Sequence, residues 1–336
     1  VADLYAQNKV HGVLALGGGA GTTIGSTVMQ ALPLGVPKVI LSTVAAGDTT
    51  GYLGTADIVM YPSIVDVAGV NKISQLTYTR PADAMAGMLD GLNSATQPKA
   101  TAPSPRPLVA ASMFGVTTPC IQHAQRILEA AGCEVLIFHA TGVGGRTLER
   151  LVSERFFDAV LDLTTTEWAD EIVGGILSAG PTRLSAAAAA GIPQVVSLGA
   201  TDMVNFGRPE SIPTPFAGRT FYHHNAENTL MRTTTSEATN IGHAIGRQLD
   251  TTQGETVLLI PRRGVSMLDA AGQPFDDPAA RQALTTAVRD QLTNPRVQIE
   301  EHDLHVNDPA FAEAAANKLL AALGLAPTKP DHVRTQ

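Results

Sequence analysis

Short apolar runs alternate with longer segments of helical period along most of this chain. The runs predict nine strands, at residues 12–16, 38–42, 57–61, 108–113, 133–139, 159–163, 194–198, 256–260 and 297–303. Apolar residues three to four apart predict nine helices, at 22–31, 70–92, 119–131, 146–154, 167–177, 183–190, 236–249, 278–291 and 308–323. This alternation is typical of α/β proteins with right-handed crossovers. We therefore predict an α/β protein with mostly parallel sheets, whose ligands bind at the carboxyl ends of the strands.

A proline-rich stretch interrupts the alternation near residue 100. Its prolines, at 98, 103, 105 and 107, disfavour regular structure and favour an extended connector. We predict a first domain at 1–94, a linker at 95–107, a second domain at 108–325 and a tail at 326–336. A long surface loop inside one domain is the alternative. The length of 336 residues accords with two domains.

The first predicted strand runs directly into a glycine-rich turn. Four of the five residues at 17–21 are glycine, and Thr22 and Thr23 follow at the start of an apolar helix. Backbone without Cβ atoms lets a ligand come close, and the free N–H groups of a helix start attract an anion. The run matches neither the dinucleotide fingerprint nor the Walker loop. The bare glycine backbone and the helix start nevertheless predict a phosphate site, and tight strand-to-helix packing is the alternative explanation for the glycines.

The second predicted strand also ends in small polar residues. Asp48 lies there among the glycines and hydroxyl side chains of residues 42–54. At the carboxyl end of a strand, such residues suit hydrogen bonds to ribose or phosphate, directly or through a metal held by the aspartate. A plain Asx turn at Asp48 is the alternative.

A similar strand, turn and helix start occurs in the second domain at residues 139–149. The strand ends at His139, three glycines lie in the turn, and Arg146 opens the helix. A guanidinium group at a helix N-terminus suits a carboxylate or phosphate, so we expect a small acidic substrate near Arg146 and Arg262. Glu167 and His139 are the first candidates for proton transfer.

Further polar side chains follow strands of the second domain and are expected at the same sheet edge. A candidate acid–base or metal-binding set comprises His139, Glu167, Asp202, His224, Arg262, Arg263 and His305. A lone histidine after a strand is more often structural, and the adjacent pair at 223–224 lacks helical metal-ligand spacing. The sequence therefore predicts no dedicated metal site. It also contains no nucleophile elbow, so covalent hydrolase chemistry has no support.

Composition excludes several classes of partner. Acidic residues outnumber basic ones by 31 to 23, which gives a formal net charge of −8, and aromatic residues make up only 4%. A nucleic-acid surface needs a basic stripe or a stacking platform, and neither is visible. No apolar stretch reaches membrane-spanning length, and no secretory signal is found. Cys120 and Cys133 form no C-x-x-C pattern, so we expect reduced core cysteines and a cytoplasmic location.

Eight motifs, in order, carry a resemblance that covers almost the whole chain. They are G-G-G-A-G-T at 17–22, S-T-V-A-A-G-D at 42–48, M-F-G-V-T-T-P at 113–119, T-G-V-G-G-R at 141–146, T-T-T-E-W-A-D-E at 164–171, D-M-V-N-F-G at 202–207, T-L-M-R-T-T at 229–234 and H-V-N-D-P-A-F at 305–311. The chain resembles the ATP-binding family named after the tomato mosaic virus resistance protein. Eight ordered motifs are far more specific than any single glycine loop.

The resemblance implies two Rossmann-like α/β domains, with ATP bound in the amino-terminal one. We expect Mg²⁺ to accompany the nucleotide, because it neutralises phosphate charge. By resemblance, the residues near the phosphates are Gly18, Gly19, Gly21, Thr22 and Thr23, with Ala46, Gly47 and Asp48 nearby. Members of the family begin with a further strand and a G-T-F-D-T-K-like turn, which is not found in this sequence. The first domain is therefore expected to be truncated at its N-terminus.

Two functional hypotheses follow from the residues and the resemblance together. In the first, the protein uses ATP in a small-molecule reaction at a crevice between its two domains. In the second, it is a non-catalytic, nucleotide-responsive binding or regulatory module. Its long apolar helices also predict a homo-oligomer. A dehydrogenase is disfavoured, because the fingerprint and an acidic ribose ligand at the expected distance are both missing.

Overall fold

The computed structural model describes residues 1–92 and 106–326. The chain divides into two compact units, Val1–Pro103 and Ser104–Gln336. Most of the predicted linker at 95–107 and of the predicted tail at 326–336 lies outside the described residues. The predicted α/β class with mostly parallel sheets is confirmed, because each unit contains a sheet of parallel strands.

The first unit contains a three-stranded parallel sheet. Its strands, in spatial order, are β1 (Val13–Gly17), β2 (Lys38–Ser42) and β3 (Val59–Pro62). Its helices are α1 (Ala2–Ala6), α2 (Gly19–Gln30), α3 (Thr50–Leu53) and α4 (Lys72–Leu92). As the central strand, β2 is buried along its whole length. Gly17 pairs with Ser42 across the sheet, so the residues that follow β1 and β2 begin at the same edge.

The second unit contains a six-stranded parallel sheet. Its strands are β4 (Leu108–Met113), β5 (Glu134–His139), β6 (Ala159–Thr164), β7 (Gln194–Gly199), β11 (Thr256–Pro261) and β12 (Val297–His302). They lie in the order β12-β11-β7-β6-β4-β5, and every pair is parallel. Counted from β4, this is a doubly wound order in which the chain reverses direction across the sheet beside β4. Ligands of such sheets bind beyond the carboxyl ends of the strands at that reversal.

Helices cover both faces of this sheet. They are α5 (Thr118–Ala130), α6 (Val143–Ser153), α7 (Glu167–Val173), α8 (Ser185–Ala190), α9 (Thr235–Asp250), α10 (Pro278–Gln291) and α11 (Pro309–Ala322). Val109 and Ala111 of β4 pack with α5 and α11, whereas Ala110 packs with α6 and α8 on the other face. The remainder of that second face packs with α7, α9 and α10. Burial on both faces explains why these strands form continuous apolar runs.

A second, antiparallel sheet was not predicted from the sequence. It consists of β8 (Met203–Phe206), β10 (Asn228–Arg232) and β9 (Phe221–Asn225), in that spatial order. The helices α1 and α3 were not predicted either. The predicted helix at 167–177 was too long: α7 ends at Val173, because Gly174 adopts the left-handed conformation with φ of +96°.

Candidate functional site

The glycine turn of the first unit combines one packing glycine with one open glycine. A Cβ atom on Gly17 would lie 2.8 Å from the Cα of Gly21, so the close approach of β1 and α2 requires glycine there. A Cβ on Gly21 would face the Leu16 carbonyl oxygen at 3.4 Å. By contrast, a Cβ on the exposed Gly19 would meet no atom within 4 Å. Packing therefore explains Gly17 but not Gly19.

The first turn of α2 presents free amide groups. Gly18 is the N-cap residue and is extended, and the first helical hydrogen bond runs from the Thr22 amide to the Gly18 carbonyl at 2.8 Å. Within the described part of the chain, the amides of Gly19, Ala20 and Gly21 have no acceptor. A helix N-terminus with unpaired N–H groups and a positive dipole end attracts an anion.

The two threonines of the turn bond mainly to the protein itself. The Thr22 hydroxyl is buried, donates to the Gly18 carbonyl at 2.8 Å and shares a hydrogen bond with the Ser42 hydroxyl at 2.6 Å. The exposed Thr23 donates to the Gly19 carbonyl at 2.9 Å. Thr22 therefore fastens α2 to the end of β2 and holds the turn in shape.

The loop after β2 places Ala46, Gly47 and Asp48 on the surface. An Asx turn is present, because Asp48 Oδ1 accepts a hydrogen bond from the Thr50 amide at 2.9 Å. The hydrogen bonds from Thr50 lower the pKa of Asp48, which keeps its carboxylate ionised. The loop starts beside the glycine turn, since the Thr43 amide donates to the Gly17 carbonyl at 3.2 Å.

The second unit contains a cavity of 230 Å³ beyond the carboxyl ends of β4 and β5. We call it the second-unit cavity. It is lined by Phe114, Gly115 and Val116 after β4, by His139 and Thr141 at the end of β5, by Leu177, and by residues of the antiparallel sheet: Asn205, His224, Asn225, Asn228 and Leu230. Two predicted candidates, His139 and His224, therefore line the same cavity.

Glu167 lies in the interior and holds the turn after β5. Its Oε1 accepts hydrogen bonds from the amides of Gly142 at 2.7 Å and Gly145 at 3.0 Å. A Cβ on Gly145 would lie 2.1 Å from Glu167 Oε2, so this position requires glycine. The residue is fully buried, and its oxygens bond to protein groups. These contacts give Glu167 a positioning role, while proton transfer by it stays a prediction.

One buried guanidinium group binds three carboxylates. Arg183 donates to both oxygens of Asp162, at 2.5 and 2.8 Å, to Glu167 at 2.7 Å and to Glu149 at 3.1 Å. Although burial opposes its charge, these carboxylates raise the pKa of Arg183 further above its ordinary range. Burial also raises the pKa of Glu149. Sequence reasoning missed Arg183, since its partners lie 16 to 34 residues away along the chain.

The two predicted substrate arginines lie elsewhere. Arg146 donates to the Ser178 carbonyl at 2.8 Å, which ties the start of α6 to the segment after α7. The side chain of Arg262 is 61% exposed after β11 and lies 3.8 Å from Glu301. Neither is among the described residues that line the second-unit cavity. Of the four predicted catalytic residues, the cavity wall contains His139.

The other candidates of the second unit form separate contacts. Asp202 is buried, accepts from the Ser266 hydroxyl at 2.8 Å, and has its pKa raised to about 7 by burial and by the nearby Asp269. His305 Nε2 lies 2.8 Å from the Ser266 carbonyl oxygen, and Arg263 forms a surface pair with Asp303. These side chains stabilise the loop after β11.

The asparagines of the cavity were not among the predicted site residues. Asn205 lies on β8, Asn225 ends β9 and Asn228 opens β10. The strands that contain them are only four or five residues long and lie among polar residues, so the sequence resembles loops there. For Asn225 and Asn228, the signal is the density of amide and imidazole side chains at 222–228, on both sides of a tight turn.

Among the residues that the structure describes, no three His, Cys, Asp or Glu side chains are grouped so that they could hold a metal ion. None of the described helices combines the length and the apolar character that crossing a bilayer requires.

Both units match the same family of proteins. Residues 1–94 match the N-terminal domain, and residues 106–323 the C-terminal domain, of the uncharacterised protein family UPF0261. The chain belongs to the UPF0261 family. The glycine turn lies in the matched N-terminal domain of UPF0261, and the second-unit cavity lies in its matched C-terminal domain.

Relatives of this chain occur in bacteria and in a plant. A UPF0261 protein of Clostridium tetani is 46% identical over 320 residues, which cover 95% of this chain and 78% of that protein. A UPF0261 protein of Rhizobium meliloti is 45% identical over 93% of this chain and 77% of its own length. The ToMV resistance protein Tm-1 of Solanum lycopersicum is 42% identical over 94% of this chain and 42% of its own length. The predicted relationship to the tomato protein is confirmed.

Proposed function

We propose that this UPF0261 protein binds ATP at the glycine turn of its first unit. The observation that carries the proposal is the start of α2, where the amides of Gly19, Ala20 and Gly21 have no acceptor among the described residues and Gly19 faces open space. Such a terminus, at the carboxyl edge of a parallel sheet, suits the phosphate groups of a nucleotide. The resemblance carried by the eight motifs supports the same ligand.

The residues present fit a magnesium nucleotide. Gly18, Gly19 and Gly21 would supply backbone N–H groups to the phosphates, and the ionised, exposed Asp48 would supply an oxygen ligand to Mg²⁺. Thr22 would keep the turn in shape through its bonds to Gly18 and Ser42. When bound, ATP would supply an activated phosphoryl group for a reaction on a small molecule.

A second candidate function is a non-catalytic, nucleotide-responsive module. It is favoured by the separation of the four predicted catalytic side chains, since His139 lines the second-unit cavity while Glu167 is sequestered with Arg183 and Arg262 is paired at the surface. An enzyme needs its charged groups within reach of one substrate, whereas a sensor does not. Phosphate release stimulated by a small molecule would indicate the enzyme, and nucleotide binding without turnover would indicate the sensor.

Titration of the protein with ATP and Mg²⁺ in a calorimeter tests nucleotide binding. Gly19→Val would place a branched side chain in the open space at the start of α2, and we expect affinity to fall at least about tenfold, or by about 1.4 kcal/mol. Gly87→Val in α4 is the matched control, because a Cβ there also meets no atom within 4 Å. Equal ATP affinities of the two variants would show that the glycine turn is not part of the nucleotide site.

Two further parts of the prediction belong to this proposal. We propose a cytoplasmic location, which the free and buried thiols of Cys120 and Cys133 support. Homo-oligomerisation also stays a prediction, and light scattering on the purified protein would test it.

A further inference from the structure

The second-unit cavity has polar walls without acidic side chains, lysine or arginine. Its polar lining residues, among those that the structure describes, are asparagines, histidines and a threonine. A charged ligand held here would find no carboxylate, lysine or arginine to pair with among the described lining residues. The walls therefore favour an uncharged ligand that forms many hydrogen bonds.

Asp170 fixes the amide of Asn205 on the buried side of the cavity. Its Oδ2 accepts from Asn205 Nδ2 at 2.7 Å, while its Oδ1 accepts from the amides of Asn205 at 3.0 Å and Leu177 at 3.2 Å. Three N–H groups thus converge on the Asp170 carboxyl, and the Asn205 Nδ2 is one of them, so the Asn205 Oδ1 lies on the other side of its amide group. The Asn205 Oδ1 has no donor within the described chain and is available to a ligand.

The β9–β10 hairpin supplies complementary groups from another wall. Asn225 Oδ1 accepts from the Glu227 amide at 2.9 Å and from Asn228 Nδ2 at 3.1 Å. Asn225 Nδ2 therefore remains a donor, and Asn228 Oδ1 remains an acceptor. The imidazoles of His139 and His224 likewise have no hydrogen-bond partner among residues 1–92 and 106–326. Donors and acceptors thus surround the cavity on several sides.

The shape of the cavity separates a flat ligand from a puckered one. The rings of Phe114 and His139 lie 5.5 Å apart and are tilted by 44°, so they form no parallel slot for a planar base. The volume of 230 Å³ is below the roughly 300–1,000 Å³ of pockets for drug-sized ligands. Phe114, Leu177 and Leu230 offer apolar surface for C–H groups between the polar contacts.

We propose that the second-unit cavity binds a small, uncharged polyhydroxylated molecule, a monosaccharide or a sugar alcohol. Each hydroxyl of such a molecule both donates and accepts, which matches amide and imidazole groups on several walls. The inference rests on the proposed function in one respect: it names the class of small molecule on which the proposed reaction would act. Nucleotide binding by the first unit is not needed for it to hold.

Ligand-observed NMR and calorimetry on the full chain, without nucleotide, test this site. The probes are ribose, xylose, glucose, erythritol and xylitol, together with gluconate as a charged analogue and adenosine as a flat one. We expect saturable binding of at least one neutral sugar or polyol, and binding of gluconate and adenosine at least tenfold weaker. Absence of binding by every neutral probe, or tighter binding of gluconate or adenosine, would overturn the proposal.

Neighbouring histidines on β9 provide a matched pair of variants. Side chains alternate between the faces of a strand, and His224 lines the cavity whereas His223 is not among its lining residues. Both are exposed, so neither substitution should prevent folding. We expect His224→Ala to weaken sugar binding about tenfold and His223→Ala to change it less than about twofold. Equal effects of the two substitutions on sugar binding would overturn the proposal. Because the experiment contains no nucleotide, such a result would say nothing against ATP binding by the first unit.

Discussion

Arg183 illustrates how single residues stabilise the second unit. A guanidinium group enclosed by protein must be compensated by acceptors, and Asp162, Glu167 and Glu149 provide them. Glu167 also accepts hydrogen bonds from two backbone amides of the turn that follows His139.

The end of β5 was predictable from the sequence, because an apolar run stops at His139. The burial of Glu167 was not predictable, since only the fold brings its partner Arg183 near. A polar residue after a strand therefore identifies a sheet edge without telling whether it faces a ligand or the interior.

Replacement of Glu167 by glutamine tests its positioning role. The substitution removes a negative charge beside Arg183. It also places an N–H₂ group, which cannot accept a hydrogen bond, next to the donors that Glu167 binds. We expect the free energy of unfolding to fall by roughly 1–3 kcal/mol, because buried N–H donors lose an acceptor while Asp162 and Glu149 still compensate the charge of Arg183. The control is Glu227→Gln, which breaks the exposed pair with Arg208 and should cost less than about 1 kcal/mol. Urea denaturation of both variants measures this, and similar losses would contradict the role given to Glu167.

Asp170 is expected to make stability fall as pH rises. Burial raises its pKa to about 7 from an ordinary value of 3.8. Between about pH 4 and 7 the unfolded chain therefore binds fewer protons than the folded one at this group, so its contribution to the free energy of unfolding declines over that window. Asp170→Asn should remove this decline and raise stability at pH 8, relative to the original protein, on the order of 4 kcal/mol before any loss from altered hydrogen bonds.

Urea denaturation at several pH values measures the effect of Asp170→Asn. The exposed Asp290 of α10 supplies the control, since Asp290→Asn should leave the pH dependence unchanged. A slope between pH 4 and 7 that is identical in the Asp170 variant and the original protein would show that this carboxyl does not titrate in the proposed way.

At the scale of elements, the two kinds of strand differed in how far they could be predicted. The parallel strands β4, β6 and β7 are enclosed by helices on both faces, so the sequence shows each as an apolar run between helical segments. By contrast, β9 is mostly exposed and carries two histidines and an asparagine, so it resembles a loop. The asparagines of the cavity wall therefore escaped prediction, because their position depends on pairing between short strands, one of which is mostly exposed.

The junction of β1 and α2 yields a prediction about its glycines. Gly17→Ala would place a Cβ 2.8 Å from the Gly21 backbone, which cannot move without shifting α2. We expect a loss of about 1–3 kcal/mol, as for other overpacked positions, whereas Gly19→Ala should change stability by less than about 1 kcal/mol. Denaturant unfolding of both variants, followed by a probe in the first unit, distinguishes them. Equal stabilities would contradict the packing explanation for Gly17.

At the scale of the whole molecule, the two units contribute unequally to the apolar core. Among the described residues, the buried members of four clusters of apolar side chains all lie between residues 109 and 320. In the first unit, the apolar side chains Leu14 and Leu16 of β1 remain 37% and 42% exposed. Alternation of strands and helices was sufficient to predict an α/β class for both units. Which of the two units carries chemistry could not be decided from that alternation, because it is common to both.

Hydrogen–deuterium exchange of the full chain, with and without ATP and Mg²⁺, tests nucleotide binding at the glycine turn most directly. Backbone amides that coordinate phosphate should exchange more slowly, so we predict protection at residues 18–22 and in the loop at 43–48. Protection confined to the second unit, or unchanged exchange at Gly19, Ala20 and Gly21 under saturating nucleotide, would contradict the account.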